Sequence, residues 1–204
     1  MPKVRISYNA PVVLTFAIAA TLVQVITGGP SPWFAAWPEL HGVASYVGLF
    51  SHILGHANWD HLLGNFMMIL LVGPILEERH GSRSLLTMIL ITALITGVVN
   101  LAFSNDTLVG ASGIVFMMIL LASTANIRAG EIPLTLIAVA VLFLGREMYN
   151  SFKHDDISQT AHIIGGLAGA AYGFVGARPR GVATGHAAAI ASAIKAAPSG
   201  KTGA

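Results

Sequence analysis

The run Ala161-His162-Ile163-Ile164-Gly165-Gly166-Leu167-Ala168-Gly169 places one histidine at the start of an otherwise apolar, glycine-rich segment. An ionisable side chain in such a segment is costly to bury in a bilayer, so it indicates a functional site. Gly165 and Gly169 form a small-xxx-small pattern, which lets two transmembrane helices approach closely. The run therefore predicts a membrane helix that packs tightly against a neighbour and carries a functional histidine.

The composition of the whole chain indicates a membrane protein. Of its 204 residues, 54% are hydrophobic and only 10% are charged, whereas a soluble domain carries about 25% charged residues. The mean hydropathy is +0.72. The net charge is +2 and the basic residues form no nucleic-acid-binding patch. The chain has no cysteine, which excludes disulfides, thiolate zinc sites and a cysteine nucleophile.

Six apolar segments predict an all-α, polytopic membrane domain over residues 1–176. A spanning helix needs about 20 residues, and bundle neighbours can shelter shorter segments. The aromatic-rich stretch 28–58 is predicted to be a long outer loop that is partly embedded in the membrane. Residues 177–204 are rich in alanine and glycine and are predicted to form a flexible cytoplasmic tail. The predicted helices are 11–26, 59–76, 84–103, 112–125, 132–149 and 160–176.

The lysine and arginine residues predict the orientation of these six helices. Basic residues concentrate on the cytoplasmic side of membrane proteins. With both termini in the cytoplasm, nine of the eleven basic residues lie inside, and only Arg146 and Lys153 lie outside. The nine inside residues are Lys3, Arg5, Arg79, Arg83, Arg128, Arg178, Arg180, Lys195 and Lys201.

Four polar residues share one depth in this topology, because the second, fourth and sixth segments all run from outside to inside. His61 and Asn65 lie in the first turns of the second segment, and their i, i+4 spacing places them on one helix face. Ser112, in the run Gly110-Ala111-Ser112-Gly113, opens the fourth segment, and His162 lies near the start of the sixth. A serine, a histidine and further hydrogen-bond donors are the components of a serine hydrolase.

Each of these residues also has an ordinary structural interpretation. Ser112 suits a helix N-cap, His162 can be a hydrogen-bonded bundle histidine, and Asn65 can join two membrane helices. Phe116 can be simple core packing. The shared depth of the polar residues favours the hydrolase over these separate explanations.

No metal or other cofactor is predicted. His52, His56 and His61 are close together in the sequence and could suggest a metal site. However, the chain has no His-Glu-x-x-His motif, and no set of carboxylates accompanies these histidines.

Taken together and in this order, the motifs resemble those of the rhomboid family of intramembrane serine proteases. The resemblance covers about residues 49–174. The motifs are His61-x-x-x-Asn65, the Gly-x-Ser-Gly of 110–113 and the Ala-His-x-x-Gly-x-x-x-Gly of 161–169, and the group Glu77, Arg79 and Gly81 also matches. The Trp-Arg pair that many members carry in the first outer loop is missing here.

The resemblance implies a six-helix rhomboid-like bundle with a Ser112–His162 catalytic dyad. It implies that His61, Asn65 and the backbone N–H of Ser112 form the oxyanion hole. It also implies that Phe116 packs beside the catalytic histidine, where the family often has tyrosine. The other residues expected to support the site are His56, Gly110, Gly113, Gly165 and Gly169.

The implied function is that of an intramembrane serine endopeptidase acting on peptide bonds in or near transmembrane segments of membrane proteins. The expected partners are such substrates and the lipid bilayer, with no nucleic acid. The expected location is a prokaryotic cell (inner) membrane, with the active site opening to the extracytoplasmic side. The alternative is a catalytically inactive rhomboid-like protein that binds membrane clients. A small transporter or channel is disfavoured because charged residues near mid-membrane and repeated broken helices are not apparent.

Overall fold

The computed structural model describes residues 8–128 and 159–175, together with single positions at 134, 137, 138, 141, 142 and 145. These parts contain no β-strand, and each of the six single positions is helical. The helices are α1 (Pro11–Thr27), α2 (Gly42–Ser51), α3 (Trp59–His80), α4 (Ser82–Phe103), α5 (Ser112–Arg128) and α6 (Gln159–Val175).

Five of the six helices fall on predicted apolar segments. They are α1, α3, α4, α5 and α6, and their ends differ from the predicted ends by no more than a turn or so. The predicted helix at 132–149 lies outside the described residues except for those six helical positions. The predicted tail at 177–204 lies outside them entirely.

Helix α2 lies within the stretch that the sequence analysis predicted to be a loop. Its sequence carries apolar residues at Val43, Tyr46, Val47 and Phe50, which are all exposed. This is the i, i+3, i+4, i+7 spacing of one helix face. The prolines and tryptophans that precede Gly42 obscured this short helical spacing in the sequence. The outer connection is part loop and part helix.

Local sequence signals explain where the helices begin and end. Helix α1 begins with Pro11, whose missing N–H costs nothing at a first helical position. It ends at Gly28, which adopts the left-handed conformation with φ of 67°. Helix α3 begins after Asn58, whose side chain accepts a hydrogen bond from the backbone N–H of His61 at 2.9 Å.

Two helices in the described part of the chain are long and apolar enough to be candidate membrane spans. They are α3 and α4, each with 22 residues. Helices α1, α2 and the start of α5 are shorter apolar helices.

Helix α5 is the central element of the described structure. Every residue from Ser112 to Ile119 is buried. The helix contacts α3, α4 and α6, and α1 packs against α3. The N-terminus of α5 is therefore enclosed by protein on several sides, and this is the place where the polar residues meet.

Candidate active site

Ser112 is the first residue of α5 and is only 3% exposed. The chain reaches it through a connection that descends into the bundle, where Leu108 and Ala111 are buried. The backbone N–H of Gly110 donates a hydrogen bond to the carbonyl oxygen of His52 at 3.0 Å. Buried non-helical backbone needs such partners in a membrane protein, and this bond holds the approach to Ser112.

Gly110 brings this connection against α3. Its φ is 108°, a conformation that favours glycine. A Cβ atom placed there would lie 2.6 Å from Cε1 and 2.7 Å from Nε2 of His61, and 3.6 Å from Nδ2 of Asn65. The backbone just before Ser112 therefore lies directly beside the two side chains that the sequence analysis assigned to the oxyanion hole.

The first turns of α3 hold these two side chains in place. The Asn58 cap orders the backbone at His61. One turn later Asn65 is fully buried, and neither atom of its amide group has a hydrogen-bond partner among the described residues. A buried amide with unused hydrogen-bonding capacity is costly, so it is typical of a group reserved for a ligand or a bound molecule.

His162 reaches the same region because α5 and α6 are in direct backbone contact. A Cβ atom on Gly113 would lie 3.2 Å from the carbonyl oxygen of Ala161. A Cβ atom on Gly165 would overlap the backbone of Gly113, and one on Gly169 would overlap the backbone of Met117. The small-xxx-small pattern thus sets a crossing at which the residues beside Ser112 and His162 touch.

The imidazole ring of His162 is held by an aromatic stack. It lies parallel to the ring of Phe116, with 4.7 Å between ring centroids and an interplanar angle of 17°. Phe116 is one turn below Ser112 on α5. His162 is buried, and its Nε2 atom has no hydrogen-bond partner within the described ranges. Packing against Phe116 therefore holds the ring, while its Nε2 atom is left without a partner in these ranges.

His56 packs against His61. The two imidazole rings meet edge to face, with 5.2 Å between centroids. Burial, with a smaller effect from the neighbouring His61, lowers the pKa of His56 to about 3. His56 is thus a neutral ring that packs against one of the candidate oxyanion-hole residues.

His52 is a supporting residue whose role the sequence analysis missed. Its Nε2 lies 3.3 Å from Oγ1 of Thr96 on α4, and its carbonyl oxygen accepts the N–H of Gly110. Burial lowers its pKa to about 4. The sequence analysis considered His52 only as part of a metal site. Its partner Thr96 lies far along the chain, so no local motif marks the contact.

The histidine and carboxylate residues of the described chain form no group of three or more that could hold a metal ion. His52 and His56 instead use Nδ1 near backbone carbonyl oxygens, those of Gly48 at 3.2 Å and Leu54 at 3.3 Å. These two rings therefore face the backbone through one nitrogen each, which is typical of structural histidines.

Glu77, from the matching group Glu77, Arg79 and Gly81, lies near the C-terminal end of α3 and has structural contacts. Its two carboxylate oxygens accept the backbone N–H groups of Val12 and Val13 at 2.9 and 3.0 Å. These are unpaired donors of the first turn of α1, where a carboxylate is electrostatically favoured. Glu77 therefore fastens the start of α1 to the end of α3.

The outer connection is fastened to the segment that leads to Ser112. Ala36 and Leu108 form an isolated antiparallel bridge with two backbone hydrogen bonds of 2.9 Å. The side chain of Asn100 donates to the carbonyl oxygen of Asp106 at 2.8 Å, which holds the same segment from α4. The approach to the candidate site is thus fixed from both sides.

Comparisons with known proteins agree with the resemblance. A family model described as Rhomboid domain matches residues 43–179. The chain is 34% identical over 150 residues to Rhomboid-related protein 1 of Caenorhabditis elegans, a match that covers 68% of this chain and 41% of that protein. It is 28% identical over 166 residues to Rhomboid protease GlpG of Yersinia pestis, covering 77% of this chain and 58% of GlpG.

A further match is 30% identical over 130 residues to Rhomboid protease GlpG of Salmonella paratyphi A, covering 62% of this chain and 47% of that protein. The chain spans about half of the length of these relatives. The family model covers α2 to α6 and so includes every residue of the candidate site. Since that match extends over well more than half of the sequence, the chain belongs to the rhomboid family.

Proposed function

We propose that this chain is an intramembrane serine endopeptidase with a Ser112–His162 dyad. The single observation that carries the proposal is the backbone contact between α5 and α6 at Gly113 and Ala161. This contact, with the stack of Phe116 on His162, puts a buried serine and a buried histidine at one helix crossing. Two relatives named as rhomboid proteases support the assignment of the activity.

In the proposed reaction, Nε2 of neutral His162 removes the proton from the Ser112 hydroxyl as its oxygen attacks the peptide carbonyl. The same imidazole then protonates the leaving amine, and a water molecule hydrolyses the acyl-enzyme by the reverse sequence. A serine hydroxyl is a weak nucleophile without an adjacent base. The Phe116 stack supports this role because it holds the ring orientation.

The oxyanion of the tetrahedral intermediate is proposed to be bound by His61, by Nδ2 of Asn65 and by the backbone N–H of Ser112. The N-terminus of α5 adds a favourable partial positive charge. One preorganised donor of this kind contributes about 3–4 kcal/mol to lowering the barrier. The contact of Gly110 with both α3 side chains supports this assignment, since it brings them beside the backbone that carries Ser112.

The proposed surroundings are a lipid bilayer. Rhomboid proteins are integral membrane proteins, and α3 and α4 have the length and composition of membrane spans. The basic residues favour cytoplasmic termini and a site that opens to the extracytoplasmic side. The proposed substrates are membrane proteins, cut where a transmembrane segment unwinds enough to expose a peptide bond.

The test is cleavage of a model transmembrane substrate in proteoliposomes by wild type, Ser112→Ala and His162→Ala. Two controls are Ser123→Ala and His41→Ala. Ser123 is a second buried serine of α5, bonded to the carbonyl oxygen of Ile119, and His41 is an exposed histidine of the outer connection. Cleavage by wild type and both controls, and its loss in both dyad variants, is expected.

Cleavage that persists in Ser112→Ala would contradict the serine mechanism. If no protein cleaves, labelling with a fluorophosphonate separates the remaining cases. Labelling of Ser112 would indicate a competent site tested with the wrong substrate, and its absence would favour the inactive, client-binding relative.

A further inference from the structure

Gln24 is a buried polar residue that the proposed mechanism does not use. It lies in the last two turns of α1 and is 1% exposed. Neither Nε2 nor Oε1 has a hydrogen-bond partner in the described part of the chain. Burying an amide without hydrogen-bond partners is energetically unfavourable. Such a residue in the core of a bundle requires a physical reason.

The packing of α1 on α3 places Gln24 at the level of the candidate oxyanion hole. The two helices are antiparallel, and a Cβ atom on Gly73 would lie 2.8 Å from Val13. Gln24 follows Val13 by eleven residues, and Leu62 precedes Gly73 by eleven residues. Both helices rise by about 1.5 Å per residue, so Gln24 lies opposite the turn around Leu62.

A second contact near the other end of α1 agrees with this register. A Cβ atom on Gly29 would lie 3.5 Å from the carbonyl oxygen of Ala57, just before α3 begins. Gln24 shares its helix face with the buried residues Val13 and Ala20. It therefore points into the core beside the first two turns of α3, where Asn65 lies.

The Asn65 amide also needs a hydrogen-bond partner, one that donates to its Oδ1 atom. To donate from Nδ2 to an oxyanion, its amide must keep one of its two possible orientations. A donor on its Oδ1 atom would fix that orientation, and Oδ1 has no partner within residues 8–128 and 159–175. Two buried amides within about one helical turn of each other on adjacent helices are polar surroundings that can hold an ordered water molecule.

We propose that Gln24 is a positioning residue that orients the Asn65 amide through one bridging water molecule. This inference rests on the proposed oxyanion role of Asn65. Gln24 Nε2 donates to the water, and the water donates to Asn65 Oδ1. The Nδ2 group of Asn65 then faces Ser112. Gln24 itself does not touch the substrate.

The test is a double-mutant cycle of Gln24→Met with Asn65→Ala, assayed with the model substrate. Methionine keeps the volume of glutamine and removes its hydrogen bonds. Loss of the bridge should lower kcat about tenfold and leave KM within about twofold, because only transition-state binding is affected. In the Asn65→Ala background the same change should cost no more than about twofold, since the group it orients is gone.

The matched control is Val23→Ala, which truncates a neighbouring buried residue of α1. It should lower Tm without the selective loss of kcat. The inference would be overturned if Gln24→Met lowered kcat by the same factor in the wild-type and Asn65→Ala backgrounds. It would also be overturned if Gln24→Met alone kept the wild-type kcat. Wild type and Ser112→Ala run in the same assay test the proposed function separately.

A crystal structure of the wild-type protein at about 2 Å keeps the inference testable even if Gln24→Met does not fold. The expected result is one water molecule within about 3.2 Å of both amides. A map in which the Gln24 amide bonds to other groups, with no link to Asn65, would overturn it.

Discussion

Gly110 meets two constraints at a single residue, and both predict that a side chain there is harmful. Its φ of 108° strains any L-residue, and its missing Cβ leaves room for the His61 ring. Gly110→Ala should therefore lower kcat for the model substrate at least about tenfold, because the added methyl group displaces a proposed oxyanion donor. The measurement is steady-state cleavage in proteoliposomes.

The matched control for that change is Gly42→Ala. Gly42 also has a positive φ, of 74°, but a Cβ atom there would meet nothing within 4 Å. This variant carries the backbone strain alone, about 1–2 kcal/mol, and should keep its activity. Equal losses in both variants would show that strain, and not contact with His61, is the cause.

Gly165 permits the closest approach of α5 and α6. A methyl group there overlaps the backbone of Gly113, so Gly165→Ala should separate the helices and abolish measurable cleavage together with a clear fall in Tm. Gly166→Ala is the control, since its added Cβ would lie 3.8 Å from the nearest atom, on Leu120. Thermal unfolding in detergent and cleavage would be measured on both. An active, stable Gly165→Ala would refute the crossing described above.

At the scale of single residues, short sequence motifs identified some residues of the candidate site and missed others. Ser112, His162 and Asn65 stand out because polar groups are rare in apolar segments. The partners of His52 could not be predicted, because Thr96 and Gly110 are distant in sequence. Gln24 is the only amide side chain in the predicted helix 11–26, and its relation to Asn65 becomes visible only from the register between α1 and α3.

At the scale of elements, Glu77 links the end of one helix to the start of another. Glu77→Gln leaves one acceptor for the two N–H groups of Val12 and Val13 and removes the charge that favours the start of α1. The free energy of unfolding should fall by about 1–3 kcal/mol. Equilibrium unfolding in detergent micelles measures this change.

Glu78→Gln is the control, because the adjacent Glu78 is exposed. It should leave unfolding almost unchanged. The rate of fluorophosphonate labelling of Ser112 should stay near wild type in folded Glu77→Gln, since the cap lies at the opposite end of α3 from His61. A loss of labelling without a loss of stability would assign Glu77 a role in the site.

Five of the six helices in residues 8–128 and 159–175 lie on hydrophobic segments of the sequence, and α2 is the exception. A long apolar run such as that of α4 predicts a helix. The helical spacing of apolar residues in α2 is short, and it follows several prolines and aromatic residues that indicate a loop. Its buried face has only three residues, Ser45, Gly48 and Leu49. A Cβ atom on Gly48 would overlap the backbone of Ala35. The contact of Gly48 with the loop at Ala35 has no signature in the sequence.

At the scale of the whole molecule, the distribution of basic residues predicts opposite sides for the two ends of α3. The chain has no cysteine, so single cysteines report cleanly. In intact cells a membrane-impermeant maleimide should label Ala57→Cys and should label Glu78→Cys only after permeabilisation. Both positions are exposed and lie at either end of the helix. The reverse pattern would invert the orientation and place the candidate site on the cytoplasmic side.

The bridge between Ala36 and Leu108 has a consequence for how a peptide can approach. Its two hydrogen bonds use the backbone N–H and C=O of both residues. An extended peptide that joins by strand addition needs edge groups without partners, and these residues offer none while the bridge is closed. Deuterium exchange at the two amides should then proceed in concert, because opening of the outer connection and release of the segment before Ser112 form one cooperative event.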